Sequence, residues 1–163
     1  MRAILVDDEV ANLENLKILL DKHCPDIKVV ASASNIDEAF AQVNLHHPDL
    51  LFLDIQMGKT TGFDLLNLLT EKTFEVVFVT AYDHYGIQAV KFAALDYLLK
   101  PVDPEELKTA VEKAEIRFRN KINGEQLNFL LSQIKKVNRA TRKLPCPNSM
   151  KSVMFLLTIL SVV

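Results

Sequence analysis

Residues 76–107, VVFVTAYDHYGIQAVKFAALDYLLKPVDPEEL, hold two short apolar runs, a stretch with helical spacing between them and a well-marked helix start. The runs at 76–79 and 97–99 are continuous rather than alternating in hydrophobicity, which predicts strands buried on both faces. Between them, Ile87, Ala89, Val90 and Ala93 predict one apolar helix face. Past the second run, Asp103 stands as an N-cap, Pro104 at the first helical position and Glu106 three residues beyond the cap. Leu107, Ala110, Val111, Ala114 and Phe118 then keep the i, i+3, i+4, i+7 rhythm of an amphipathic helix.

The same alternation extends back to the N-terminus. Further strands are predicted at 2–6 (RAILV), 27–31 (IKVVA) and 50–53 (LLFL). Helical stripes lie between them: Leu13, Leu16 and Leu20; Ile36, Ala39, Phe40 and Val43; and, after Gly62, Phe63, Leu65, Leu66 and Leu69. Strands alternating with helices, joined by right-handed crossovers, predict a doubly wound α/β domain with a five-stranded parallel sheet of order 2-1-3-4-5. In such a sheet the binding crevice opens beyond the carboxyl ends of strands 1 and 3.

Composition is that of a globular protein, 49% hydrophobic and 25% charged, and 163 residues suffice for one proper core with an appendage. Residues 1–120 carry 12 Lys and Arg against 20 Asp and Glu, whereas residues 121–151 carry 7 against Glu125 alone. That shift predicts an acidic domain over 1–120 and a basic helical linker over 121–145, which either solvates a helix face or leans on nucleic acid. Within it Leu127, Leu130, Leu131, Ile134 and Val137 form an amphipathic stretch, read as a continuation of the fifth helix or a surface for a second copy. The first apolar run is too short for a signal-peptide core or a membrane span, so the expectation is a cytoplasmic protein without membrane contact. Cys24 and Cys146 stand alone, without a metal or redox motif.

Chemistry gathers where the predicted strands end. Asp7 and Asp8 follow the first strand, Asp54 the third, Thr80 closes the fourth and Lys100 the fifth, so the sheet brings them to one edge. Adjacent carboxylates repel unless a cation lies between them, and an all-oxygen set suits a small hard ion, Mg²⁺ above all. One carboxylate, Asp54, is placed to act as a nucleophile toward phosphorus and become an acyl phosphate. The Lys100 ammonium and the Thr80 hydroxyl would meet the phosphoryl oxygens. Pro101 makes the Lys100–Pro101 bond a candidate for the cis form.

VDD at 6–8, LDIQM at 53–57, VTAY at 79–82 and DYLLKP at 96–101 resemble the receiver domain of two-component response regulators, over roughly residues 1–120. The resemblance implies a flavodoxin-like fold and a signalling phosphoprotein rather than an enzyme. It implies that Asp54 is the phosphoacceptor, served by a sensor histidine kinase. Asp7 or Asp8 and Asp54 would hold Mg²⁺ with the Gln56 backbone carbonyl, and Lys100 would contact the phosphoryl group. Thr80 and Tyr97 match the family's switch pair, whose rearrangement would alter the face formed by helix 4, strand 5 and helix 5 and favour a homodimer on phosphorylation. AYDHYGIQAVKFAALDYLLKPVDPEEL is similar to receivers that precede a LytTR (LytR/AlgR-like) DNA-binding domain and so act in transcription regulation. In one place the chain departs from the pattern: Gly58 stands where the family usually has Pro, which is expected to loosen the 58–62 loop without removing a site atom.

Two enzyme-like or cofactor-binding readings compete. A phosphatase of the haloacid dehalogenase type expects Asp-x-Asp after the first strand, where this chain has Asp7-Asp8-Glu9, and a flavodoxin expects a hydroxyl- and glycine-rich loop there. A stand-alone receiver acting as an interaction module remains the main alternative to a transcription factor. Residues 146–163 change character again, ending in VMFLLTILSVV, which falls short of the roughly 20 apolar residues a span needs. With suitably chosen codons residues 148–163 (NSMKSVMFLLTILSVV), read two bases out of phase, spell the alternating FDEVCYVPIDDIIRC. The expectation is a non-native remnant of a truncated LytTR domain, so that DNA would be bound only through a missing C-terminal part.

Overall fold

A computed structural model describes residues 1–141. The strands are β1 (Arg2–Val6), β2 (Lys28–Ala33), β3 (Leu50–Leu53), β4 (Gln56–Met57), β5 (Thr60–Thr61), β6 (Glu75–Thr80) and β7 (Asp96–Leu99). Helices are α1 (Val10–His23), α2 (Ile36–His46), α3 (Gly62–Leu68), α4 (Gly86–Lys91) and α5 (Pro104–Thr141). Contacts divide the chain into two units between Lys121 and Ile122, and the site lies wholly in the first. No helix among the described residues is long and apolar enough to cross a membrane. The expected tail at 146–163 lies outside the described residues.

The large sheet is parallel, in the order β2-β1-β3-β6-β7, which is the predicted order with β6 and β7 as the fourth and fifth strands. Its side chains alternate between two cores. Ile4, Val6, Leu51, Leu53, Val76 and Phe78 pack with α2, α3 and Ala89 of α4. Ala3, Leu5, Leu50, Phe52, Val77, Val79 and Leu98 pack with α1 and α5. Continuous hydrophobicity in β1, β3 and β6 therefore reflects burial on both faces, as a sheet covered by helices requires. At the sheet's edges, β2 and β7 depart from that reading, since most of their residues are partly buried or exposed.

Helix signals held unevenly. Leu13, Leu16 and Leu20 are buried in α1, and Leu107, Ala110, Val111 and Ala114 in α5, while Phe118 is half-buried. The Asp103 side chain accepts from the Glu105 and Glu106 N–H groups at 2.8 and 3.1 Å, capping α5 as predicted. In α2 the predicted stripe loses Phe40, which is 40% exposed. The stripe of α4 is cut shorter still. Val90 is 76% exposed, and Ala93 lies beyond the helix at φ 54°. Ala94 N–H returns to the Ala89 carbonyl and Ala93 N–H to that of Val90, a Schellman stop built without glycine.

Candidate phosphoryl-transfer site

Register brings the carboxylates together. Val6 pairs with Leu53 across β1 and β3, and Asp54 N–H donates to the Val6 carbonyl at 2.8 Å, so Asp7 and Asp54 leave the sheet side by side. Carboxylate oxygens of Asp7, Asp8 and Asp54 all lie within 4.8 Å of one another. On the far side β6 pairs with β7, and Lys100 N–H donates to the Thr80 carbonyl at 2.8 Å. Behind Asp54 the backbone of α3 approaches so closely that a Cβ on Gly62 would stand 2.4 Å from the Asp54 carbonyl oxygen. Only glycine permits that contact, and the Thr61–Asp64 capping box starts α3 beside it.

Asp7 and Asp54 are each only 6% exposed, so their charges need partners. Lys100 supplies one to both: its Nζ lies 2.6 Å from Asp7 Oδ2 and 2.6 Å from Asp54 Oδ2. Burial is the largest single influence on this ammonium and pulls its pKa down. The hydrogen bonds and charges of Asp54 and Asp7 together outweigh it and leave the group above the ordinary lysine value. The other Asp7 and Asp54 oxygens and one Asp8 oxygen are met by N–H groups. Asp7 Oδ1 accepts from Glu9 N–H at 3.0 Å and Asn12 Nδ2 at 3.1 Å, Asp54 Oδ1 from Gln56 N–H at 3.3 Å, and Asp8 Oδ2 from Gly58 N–H at 3.0 Å. Three carboxylates converging with no nitrogen or sulfur ligand among them are a donor set for a hard divalent cation such as Mg²⁺.

The other predicted residues fall as follows. Thr80 is fully buried at the end of β6, and its hydroxyl accepts from Tyr82 N–H at 3.5 Å. Tyr97 sits on the neighbouring strand, half-buried against Phe78 at 6.5 Å between ring centroids. Its hydroxyl donates to the Tyr82 carbonyl, and burial pushes its pKa up. Gln56 is exposed, and its side-chain amide donates to the Tyr85 hydroxyl at 3.2 Å. The Lys100–Pro101 peptide is cis. Asp7, Asn12, Lys100 and Pro101 line one crevice beside Leu13 and Leu16 of α1.

Sequence reasoning did not find Asn12 or the Gly58 amide. No motif announces an asparagine on α1 that caps Asp7. For Gly58 a signal was present, because glycine at the first central position of a two-residue hairpin loop is a turn preference. That loop joins β4 to β5, with Met57 opposite Thr60 and Gly58 at φ 61°. Residues 58–62 are thus a defined hairpin and helix start rather than a loosened loop, and Gly58 adds a donor to the site.

Comparison with known proteins gives a consistent picture. Residues 3–112 match the response regulator receiver domain family. The chain is 41% identical over 116 residues to the sensory transduction protein LytT of Enterococcus faecalis, covering 70% of this chain and 48% of that protein. It is 35% identical over 147 residues to the transcriptional regulatory protein BtsR of Escherichia coli K12, covering 90% and 58% respectively. Among solved structures, the receiver domain of AraT, a response regulator from Geobacillus stearothermophilus, superposes with a TM-score of 0.66 at 30% identity, covering 74% of this chain and 96% of that one. The chain spans about half the length of the curated relatives it matches.

Proposed function

The chain belongs to the response regulator receiver family, and from that premise we propose that it takes a phosphoryl group from a sensor histidine kinase onto Asp54. The observation that carries this reading is the Lys100 ammonium, held 2.6 Å from both Asp54 and Asp7. A cation there screens the acceptor carboxylate before transfer and is in reach of the phosphoryl oxygens afterwards.

The step is a displacement at phosphorus. One Asp54 oxygen forms the new P–O bond as the P–N bond to the kinase histidine breaks, and the imidazole nitrogen keeps the electron pair. Lys100 passes from Asp54 Oδ2 to a phosphoryl oxygen while Asp7 holds it in the crevice. The Thr80 hydroxyl supplies a further hydrogen bond. Asp7, Asp8, Asp54 and the Gln56 backbone carbonyl would hold Mg²⁺, whose charge, when bound, offsets that spread over the equatorial oxygens. The chain acts as an acceptor with its own phosphorylation and dephosphorylation chemistry, not as an enzyme of free substrates.

Output follows from Thr80 and Tyr97 on adjacent strands. A hydroxyl drawn to the phosphoryl group leaves space for the ring, and the face of α4, β7 and α5 changes with it. Val90 and Leu99, 76% and 42% exposed on that face, suit a second copy as partner. The likeness to LytT and BtsR supports a regulator of the LytTR type, whose control of transcription passes through a DNA-binding domain beyond the receiver.

Phosphotransfer tests the chemistry. A cognate phosphohistidine kinase should label the chain with hydroxylamine-labile phosphate only when Mg²⁺ is present, and Asp54→Asn should abolish the label. Labelling of Asp54→Asn at the native rate would overturn the assignment.

A further inference from the structure

Of the three carboxylates, Asp8 is the one whose position needs explaining. Asp7 and Asp54 are buried and share Lys100, whereas Asp8 is exposed and Lys100 does not reach it among the described contacts. A solvent-exposed carboxylate next to two others would swing away from them to relieve repulsion. Yet an Asp8 oxygen lies within 4.8 Å of the other two carboxylates. The contact holding it there is the Gly58 N–H, 3.0 Å from Asp8 Oδ2 and 50 residues away in sequence.

That donor exists because of two properties of residue 58. It is a residue with an N–H, unlike proline. It also adopts φ 61°, in the left-handed region, which turns the two-residue loop between Met57 and Thr60 toward β1. Nothing lies within 4 Å of the place a Cβ would occupy, so glycine is present for its backbone conformation and not for lack of room. The loop is anchored on both sides, by the Thr60 hydroxyl on the Met57 carbonyl at 3.0 Å and by Gly62 N–H on the Ile55 carbonyl at 2.8 Å. It is therefore a fixed mount for the amide.

We propose that the Gly58 main-chain N–H is a positioning group of the Mg²⁺ site, holding Asp8 by Oδ2 so that its other oxygen faces the cation. The inference rests on the Mg²⁺ reading of the acidic cluster given above. Groups that orient a metal ligand without touching the metal commonly account for about 10- to 100-fold in affinity. Gly58 thereby ties the acceptor loop to the acidic turn after β1.

Calorimetric titration of Mg²⁺ into the unphosphorylated chain tests this. Gly58→Pro deletes the donor and should weaken binding about tenfold, the lower end of that range. Gly58→Asn keeps the N–H and tolerates the left-handed conformation, so it should stay within about twofold of native. Native affinity in Gly58→Pro, or an equal loss in both variants, overturns the proposal. Should Gly58→Pro fail to fold, amide exchange in the native chain decides: Gly58 stays protected when Mg²⁺ is added if the amide and cation hold Asp8 together. Loss of that protection on adding Mg²⁺ means that they compete, and overturns the proposal. A native chain that binds no Mg²⁺ at all refutes the metal site itself, which is a different failure from a native affinity shared by all variants.

Discussion

Lys100 shows how much of the site hangs on single residues. It neutralises two carboxylates that are each 6% exposed, and nothing else among the described residues offers them a cation. Lys100→Ala should therefore destabilise the Mg²⁺-free chain by about 3 kcal/mol, as expected when one partner of a buried ion pair is removed. Urea unfolding with and without Mg²⁺ checks this, and the cation should restore part of the loss; a metal-free variant as stable as native would contradict it. The Lys100 pKa is raised, so its stabilisation is complete below the unfolded-state value of about 10.4 and is lost only as pH climbs through the folded-state value. At this scale sequence was a good guide to charged residues, because strand ends in a parallel sheet must converge. It was blind to neutral donors. No residue type declares the geometry by which Asn12 reaches Asp7, and the turn preference of Gly58 marks a hairpin without showing that its amide meets Asp8.

Among the elements, α4 is the least well marked and lies on the proposed output face. It has six residues, Ala89 is its buried anchor among the side chains described, and it ends in a Schellman motif whose left-handed residue is Ala93. Glycine normally marks such a stop, and its absence let the predicted helical stripe overrun to Ala93. An L-residue other than glycine or asparagine pays roughly 1–2 kcal/mol in that conformation. Ala93 is exposed, so Ala93→Asn leaves the packing alone and should stabilise the domain by up to about 1 kcal/mol. A thermal melt shifted upward by a few degrees agrees with this, and an unchanged or lowered midpoint contradicts it. The order 2-1-3-4-5 placed the edge strands correctly, but their burial was misjudged. β2 and β7 read as apolar runs covered on both faces, whereas each pairs with a single neighbour, β1 or β6, and is incompletely covered at the sheet's margin.

Across the whole receiver unit, two cores lie on opposite faces of one sheet whose edge carries the proposed chemistry. Thr80 and Tyr97 lie on β6 and β7; Tyr97 packs against the core that holds Ala89 of α4, and its neighbour Leu98 against the core that holds α5, so the proposed rearrangement would reach α4 and α5 from opposite faces of one strand. Phosphorylation should raise the sedimentation coefficient toward a dimer and change amide exchange over residues 84–118. A phosphorylated chain with both unchanged would contradict this output. The claim from which the rest follows is that Asp54 accepts phosphoryl groups in a Mg²⁺-dependent way. The most direct measurement is peptide-mapped mass spectrometry after exposure to a small phosphodonor, with and without Mg²⁺. One phosphoryl group on the peptide containing Asp54, present only with the cation and absent in Asp54→Asn, is the predicted result; modification elsewhere, or at Asp54 equally without Mg²⁺, would contradict the account.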